Sequence, residues 1–183
     1  MRLTTAAALL LSANLLAADP TTDLLNTLPF RNLGPFRAGA WVSTIATRQR
    51  VIYAGARTGG VWKSSNFGAT FENVTDSIHI ASVGALAIAP SDANVVWLGS
   101  GDNSVTRSAY PGSGMYRSTD GGKTWQAAGL ADSQHIARIV IHPTNPNVVW
   151  VAALGHLFTP NSERGVYKTI DAGRTWQRVL HAG

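Results

Sequence analysis

After residue 30 the apolar residues fall in short β-branched and aromatic runs, and nowhere do they keep the 3.6-residue rhythm of an amphipathic helix. Val51-Ile52-Tyr53, Ala85-Leu86-Ala87-Ile88-Ala89, Val95-Val96-Trp97, Ile139-Val140-Ile141 and Val148-Val149-Trp150 are such runs, separated by clusters of Gly, Pro, Asn and Asp. The pattern predicts short strands joined by tight turns. Two of those turns are read at Pro90-Ser91-Asp92-Ala93-Asn94 and Pro143-Thr144-Asn145-Pro146-Asn147, because proline fixes φ and Asp or Asn closes a turn through its own side chain.

The strand pattern repeats. Val61-Trp62-Lys63-Ser64-Ser65-Asn66-Phe67-Gly68-Ala69-Thr70-Phe71 aligns with Met115-Tyr116-Arg117-Ser118-Thr119-Asp120-Gly121-Gly122-Lys123-Thr124-Trp125. Both align with Val166-Tyr167-Lys168-Thr169-Ile170-Asp171-Ala172-Gly173-Arg174-Thr175-Trp176. The closing aromatics are 54 and 51 positions apart. The strand runs ending in Tyr53, Trp97 and Trp150 precede each copy in the same order, and Asp76 to Pro90 matches Asp132 to Pro143. A four-stranded unit repeated about every 50 residues is the sequence form of a β-propeller blade. The expected fold is therefore all-β: about three four-stranded antiparallel blades, near 30–75, 76–130 and 131–183, forming an incomplete ring.

Each position of the Ser/Thr-x-Asp-x-Gly-x-Thr-Trp hairpin has a physical role. The hydroxyl of Ser118 or Thr169 and the carboxylate of Asp120 or Asp171 can accept hydrogen bonds from turn amides, and Gly122 and Gly173 supply a positive φ. Trp125 and Trp176 then start the next strand and fill the core between sheets. The first copy carries Ser64, Asn66, Gly68 and Phe71 at these positions, which keeps an acceptor oxygen and a ring. These residues are read as fold residues, not catalytic ones. Gly122-Lys123-Thr124 is not the end of a phosphate-binding loop, because Arg117 stands where that motif needs Gly.

The N-terminus is different in kind. Met1-Arg2, an apolar stretch through Leu16 and the exit Ala17-Ala18-Asp19-Pro20 read as a secretory signal over 1–18, followed by a linker over 19–29. Cleavage is expected after Ala18, with a secreted or periplasmic bacterial product that has no further membrane contact. There is no cysteine, so no disulfide supports the fold. The charge of +5 comes from twelve Arg and three Lys that are scattered along the chain, which argues against a nucleic-acid partner.

Ser118-Thr119-Asp120-Gly121-Gly122-Lys123-Thr124-Trp125 resembles the Asp-box (BNR) repeats of sialidases, xyloglucan-hydrolysing glycosidases, sortilin-type receptors and photosystem II assembly factors. Phe30-Arg31-Asn32-Leu33-Gly34-Pro35-Phe36-Arg37, Gly101-Asp102-Asn103-Ser104-Val105-Thr106-Arg107-Ser108 and Ala152-Ala153-Leu154-Gly155-His156-Leu157-Phe158 are similar to large secreted bacterial proteins of the sortilin N-terminal or glycosyl hydrolase type. That resemblance implies a longer protein, of which this chain holds the N-terminal blades, with the remaining blades as its partners. Two departures stand out. Ala38-Gly39-Ala40-Trp41-Val42 lacks the Arg of the usual Gly-Gly-Arg-Val, and neither Phe30-Arg31 nor Phe36-Arg37 continues into the sialidase Arg motif, so sialidase activity is not expected.

Glycoside hydrolysis needs two carboxylates flanking the scissile bond. Outside the repeated positions the candidates are Asp102 and Glu163, in insertions spanning Gly99 to Gly114 and Gly155 to Gly165. Arg107, Tyr110, His156 and Phe158 in the same insertions are candidates for stacking on a sugar or gripping a peptide. No His or carboxylate spacing matches a metal site, and no cofactor is expected. The leading expectation is a binding or scaffold module for a glycan or protein ligand. Its alternative is part of a polysaccharide-acting glycoside hydrolase whose cleft is completed by other blades.

Overall fold

The computed structural model describes residues 41–181, so the stretches read as a signal segment (1–18) and a linker (19–29), and Phe30 to Arg37, lie outside the described residues. Three four-stranded antiparallel sheets follow one another along the chain. Blade one is β1 (Val42–Arg48), β2 (Val51–Ala56), β3 (Val61–Ser64) and β4 (Glu72–Asn73). Blade two is β5 (Val83–Ile88), β6 (Val96–Ser100), β7 (Met115–Ser118) and β8 (Gln126–Ala127). Blade three is β9 (Ile136–Ile141), β10 (Val149–Ala153), β11 (Gly165–Thr169) and β12 (Gln177–His181). Each sheet is a meander in sequence order, as the repeat predicts, and no α-helix occurs among the described residues.

Burial follows the two-residue period of the strands. In blade two, Leu86, Val96, Leu98 and Trp125 point back into a core shared with Tyr53 and Val61 of blade one. Ala85, Ala89, Val95 and Trp97 point forward into a core shared with Ile136, Ile139, Val149 and Val151 of blade three. A one-residue slip would exchange these two sets, so the register Val96↔Ser118, Leu98↔Tyr116 is fixed by both neighbours.

Each innermost strand carries a bulge near its start, between Val42 and Thr44, between Val83 and Ala85, and opposite Ala152 and Ala153. The bulged residue of blade two is Gly84. A Cβ there would lie 2.1 Å from the Ile136 carbonyl oxygen and 2.4 Å from that of Gly101, so glycine lets β9 come close.

The Asp-box hairpins close as their chemistry requires. Asp120 accepts from the Thr124 amide at 2.9 Å, the Lys123 amide at 2.9 Å and the Thr124 hydroxyl at 2.6 Å. The Ser118 hydroxyl accepts from the Gly122 amide at 2.8 Å, where φ is +85°. Asp171 and Thr169 repeat the arrangement, with bonds from the Thr175 and Gly173 amides at 2.9 Å each. In blade one, Asn66 accepts from the Thr70 amide at 3.0 Å and its own amide donates to the Thr70 hydroxyl at 2.9 Å. An amide thus replaces the carboxylate without opening the turn.

The hydrogen bonds from Thr124, side chain first, hold the Asp120 carboxyl well below its ordinary range, and those from Thr175 bring Asp171 down to about 2. A carboxyl whose folded pKa is depressed stabilises the fold fully above its unfolded value, about 3.9, and loses that contribution as pH falls through the folded value. Acid titration followed by tryptophan fluorescence should therefore loosen blades two and three between roughly pH 4 and pH 2. The D120N/D171N double variant, with the chemistry of Asn66, should show a shallower acid transition. An unchanged acid profile would mean that these two carboxylates do not govern it.

Candidate functional site

Antiparallel strands alternate in direction, so the β2–β3, β6–β7 and β10–β11 connections share one end of the blades, and the Asp-box hairpins occupy the other. Both insertions singled out in the sequence therefore lie at the same end. The connection in blade one is the tight Arg57-Thr58-Gly59-Gly60 turn, whereas blades two and three carry the long loops.

Three blades are tied together at this end through Asp102. Its carboxylate is 1% exposed and accepts from the Arg57 Nε of blade one in an ion pair. It also accepts from the Ser104 amide at 2.9 Å and the Ser104 hydroxyl at 2.6 Å. The Asp102 carbonyl meets His135 Nδ1 of blade three at 2.8 Å, and the His135 carbonyl accepts from the Leu154 amide at 2.8 Å. Burial by itself would raise the Asp102 pKa, but the Ser104 bonds and Arg57 together lower it. Arg57 also donates to Thr106 and, at 3.2 Å, to the Ser108 hydroxyl, which shapes the tip of the blade-two loop. The base of the loop is fixed by Gly101 N–H to Ser82 O at 3.0 Å and Gly112 N–H to Gln134 O at 2.6 Å.

The blade-three loop is organised separately. Arg164 donates to the Leu154 carbonyl at 3.0 Å and the His156 carbonyl at 3.1 Å, and Asn161 donates to the His156 carbonyl at 2.8 Å. Glu163 accepts from the Ser162 hydroxyl at 2.6 Å, which, ahead of other causes, lowers its pKa. The exposed members are Arg107, Tyr110 at 49% and Phe158 at 68%, with His156 half-buried.

Asp102 and Glu163 thus sit at the same end of the blades in different settings, one buried and paired, the other on a loop surface. Both are held ionised, so neither has the raised pKa of a general acid.

The sequence reading missed Arg57, which follows β2 directly and lies across from Asp102. The signal was available: it is a basic residue in the blade-one turn aligned with the loop that holds the unrepeated acid. Trp41 was noted only as a departure, yet it is 62% exposed and packs its ring 4.9 Å from the Arg57 guanidinium.

Between the innermost strands lies a cavity of about 320 Å³ lined by Ser43, Thr44, Gly84, Asn103 and Arg138, where Arg138 is the charged group. Among the described residues no three His, Asp or Glu side chains gather in a way that would hold a metal ion. No helix among them is long and apolar enough to cross a membrane.

Comparison with known proteins places this geometry in context. The chain is 25% identical over 177 residues to a probable oligoxyloglucan-reducing end-specific xyloglucanase of Neosartorya fischeri, covering 84% of this chain and 20% of that protein. It is 31% identical over 121 residues to a xyloglucanase of Paenibacillus sp., covering 55% of this chain and 12% of that protein. The chain therefore spans a fifth or less of the length of these curated relatives. The crystal structure of an ancestral GH74 enzyme superposes with a TM-score of 0.58 at 22% identity, over 78% of this chain and 19% of that one, and shares the propeller fold. The family model described as "Sortilin, neurotensin receptor 3" matches residues 59–182, a stretch that includes all three Asp-box hairpins, and the chain belongs to this Sortilin-Vps10 family of Asp-box propellers.

Proposed function

We propose that the chain contributes three blades to an exported glycoside hydrolase acting on a xyloglucan-type polysaccharide, and that the loop end of the blades is its glycan-facing side. The observation that carries this reading is that each blade exposes an aromatic side chain at that end, Tyr110 and Phe158 on the two insertion loops and Trp41 beside Arg57. Aromatic faces stack on the apolar faces of sugar rings, and arginine and amide groups bond the hydroxyls around them. The two xyloglucanase relatives support this substrate class. The signal-like N-terminus supports action outside the cytoplasm, where such a polymer would be met.

A second reading, a binding or scaffold module without its own chemistry, is favoured by one feature. Asp102 is fully engaged in holding the blades together, which leaves Glu163 as the exposed carboxylate of the two candidates. In the hydrolase reading the second carboxylate comes from other blades.

Affinity electrophoresis of the purified chain in gels containing xyloglucan is expected to show retardation that Tyr110→Ala and Phe158→Ala each weaken by roughly tenfold. Reducing-end release from xyloglucan by a protein carrying the remaining blades should depend on Glu163, with binding retained in Glu163→Gln. Retardation without turnover would favour the binding module. Neither retardation nor turnover on this polymer would reject the substrate class.

A further inference from the structure

Asp102 uses each of its polar groups on a different part of the loop end. Its carboxylate takes Arg57 Nε from blade one, and its carbonyl takes His135 Nδ1 from blade three at 2.8 Å. A carbonyl oxygen only accepts, so Nδ1 carries the proton. The Asp102 amide donates to the Tyr110 carbonyl at 2.9 Å. That same carbonyl accepts from the hydroxyl of the fully buried Ser82 at 3.0 Å. The backbone of Tyr110 is thus held at two points, while the residue as a whole stays 49% exposed.

Blades two and three use equivalent positions differently. Val83 pairs with Ser100 in blade two as Ile136 pairs with Ala153 in blade three, so Ser82 and His135 occupy the same place before the innermost strand. Each gives its carbonyl to the first amide after the second strand, that of Gly101 at 3.0 Å and that of Leu154 at 2.8 Å. Their side chains differ. Ser82 holds the loop of its own blade, whereas His135, 4% exposed, reaches across to blade two. Arg57 reaches across from blade one, and its second nitrogen ties Thr106 and Ser108 of the loop tip.

We infer that Arg57 and His135 are positioning residues for the Tyr110 platform: they hold Asp102 from two blades, and Asp102 passes that placement to Tyr110 through its amide, an inference that rests on the glycan-facing reading of this end only for what the ring meets. A loop without such ties would have to order its aromatic on contact, which costs affinity. Here the neighbouring blades order it beforehand. The blades are also joined independently of these ties, because Trp125 donates to Val74 O and Trp176 to Ala128 O, each at 2.8 Å. Loosening Asp102 therefore leaves the blades docked.

Arg57→Met and His135→Phe keep most of the side-chain volume and remove the donor. Amide hydrogen exchange of the purified chain is expected to quicken at Asp102 by roughly tenfold in each variant. The Gly121 amide, bonded to Asn94 O at 2.9 Å at the Asp-box end, should be unaffected. Arg57→Lys, which can still pair with Asp102, should restore part of the protection. Titration calorimetry with a soluble xyloglucan oligosaccharide should show affinity about fivefold lower in Arg57→Met and His135→Phe, with no further loss when either is added to Tyr110→Ala. An unchanged Asp102 amide, equal acceleration at Gly121, or a loss of affinity as large without Tyr110 as with it would overturn the inference. A wild-type chain that does not bind the oligosaccharide would reject the substrate class instead, and the exchange rates alone would then decide whether Arg57 and His135 place Tyr110.

Discussion

Replacing Asp102 with Ala is expected to lower the melting temperature by roughly 10 °C, the equivalent of about 3 kcal/mol in a domain of this size. The change leaves the Arg57 guanidinium without its partner, takes the anchor from the Ser104 turn and loosens the loop whose base bonds to Ser82 and Gln134. Arg57 retains 13% side-chain exposure, which places the cost at the low end for a broken buried pair. Thermal unfolding by circular dichroism at neutral pH measures the loss. Because the folded pKa is lowered, the deficit should be full at neutral pH and shrink as pH falls below the ordinary carboxylate range, where the wild-type carboxylate is itself neutralised. A carboxylate whose role is chiefly chemical would behave in the opposite way, leaving the melting temperature unchanged.

A second large loss is expected for Trp97→Ala, about 4 kcal/mol. Trp97 is fully buried, meets Trp176 edge-on at a centroid distance of 6.2 Å and an angle of 84°, and donates to Pro146 O at 3.3 Å. Its removal opens a cavity in the core that joins blades two and three. Trp150→Ala, at the equivalent but half-buried position, should cost about 1 kcal/mol. Urea titrations of the two variants should show a midpoint shift several times larger for Trp97. Equal shifts would mean that the core between blades two and three is not what Trp97 supports.

The repeat carried most of the fold. Because the same hairpin recurs three times, the strand order, the turns at Pro90 and Pro143 and the inward tryptophans could all be read from residue types at fixed offsets. The bulge at Gly84 could not, because its reason lies in a carbonyl more than 50 residues away, that of Ile136. The site was less legible for the same physical cause. The unrepeated loops were recognisable as the places where the blades differ, and Tyr110 and Phe158 are exposed there. But Asp102 looks identical in sequence whether it faces a cleft or is buried against Arg57, and only the packing of three blades separates the two. Arg57 itself sits in a short turn whose partner is set by the ring and not by its sequence neighbours.

The backward reach of Trp125 and Trp176 gives the propeller a direction in time. Each indole finds its acceptor in the blade that precedes it in the chain, so a polypeptide emerging N-terminus first meets every docking site already made. Assembly can proceed like a zipper, one blade at a time, with stability accumulating by nearest-neighbour terms. The last blade to emerge is then always the one whose forward face still awaits a neighbour.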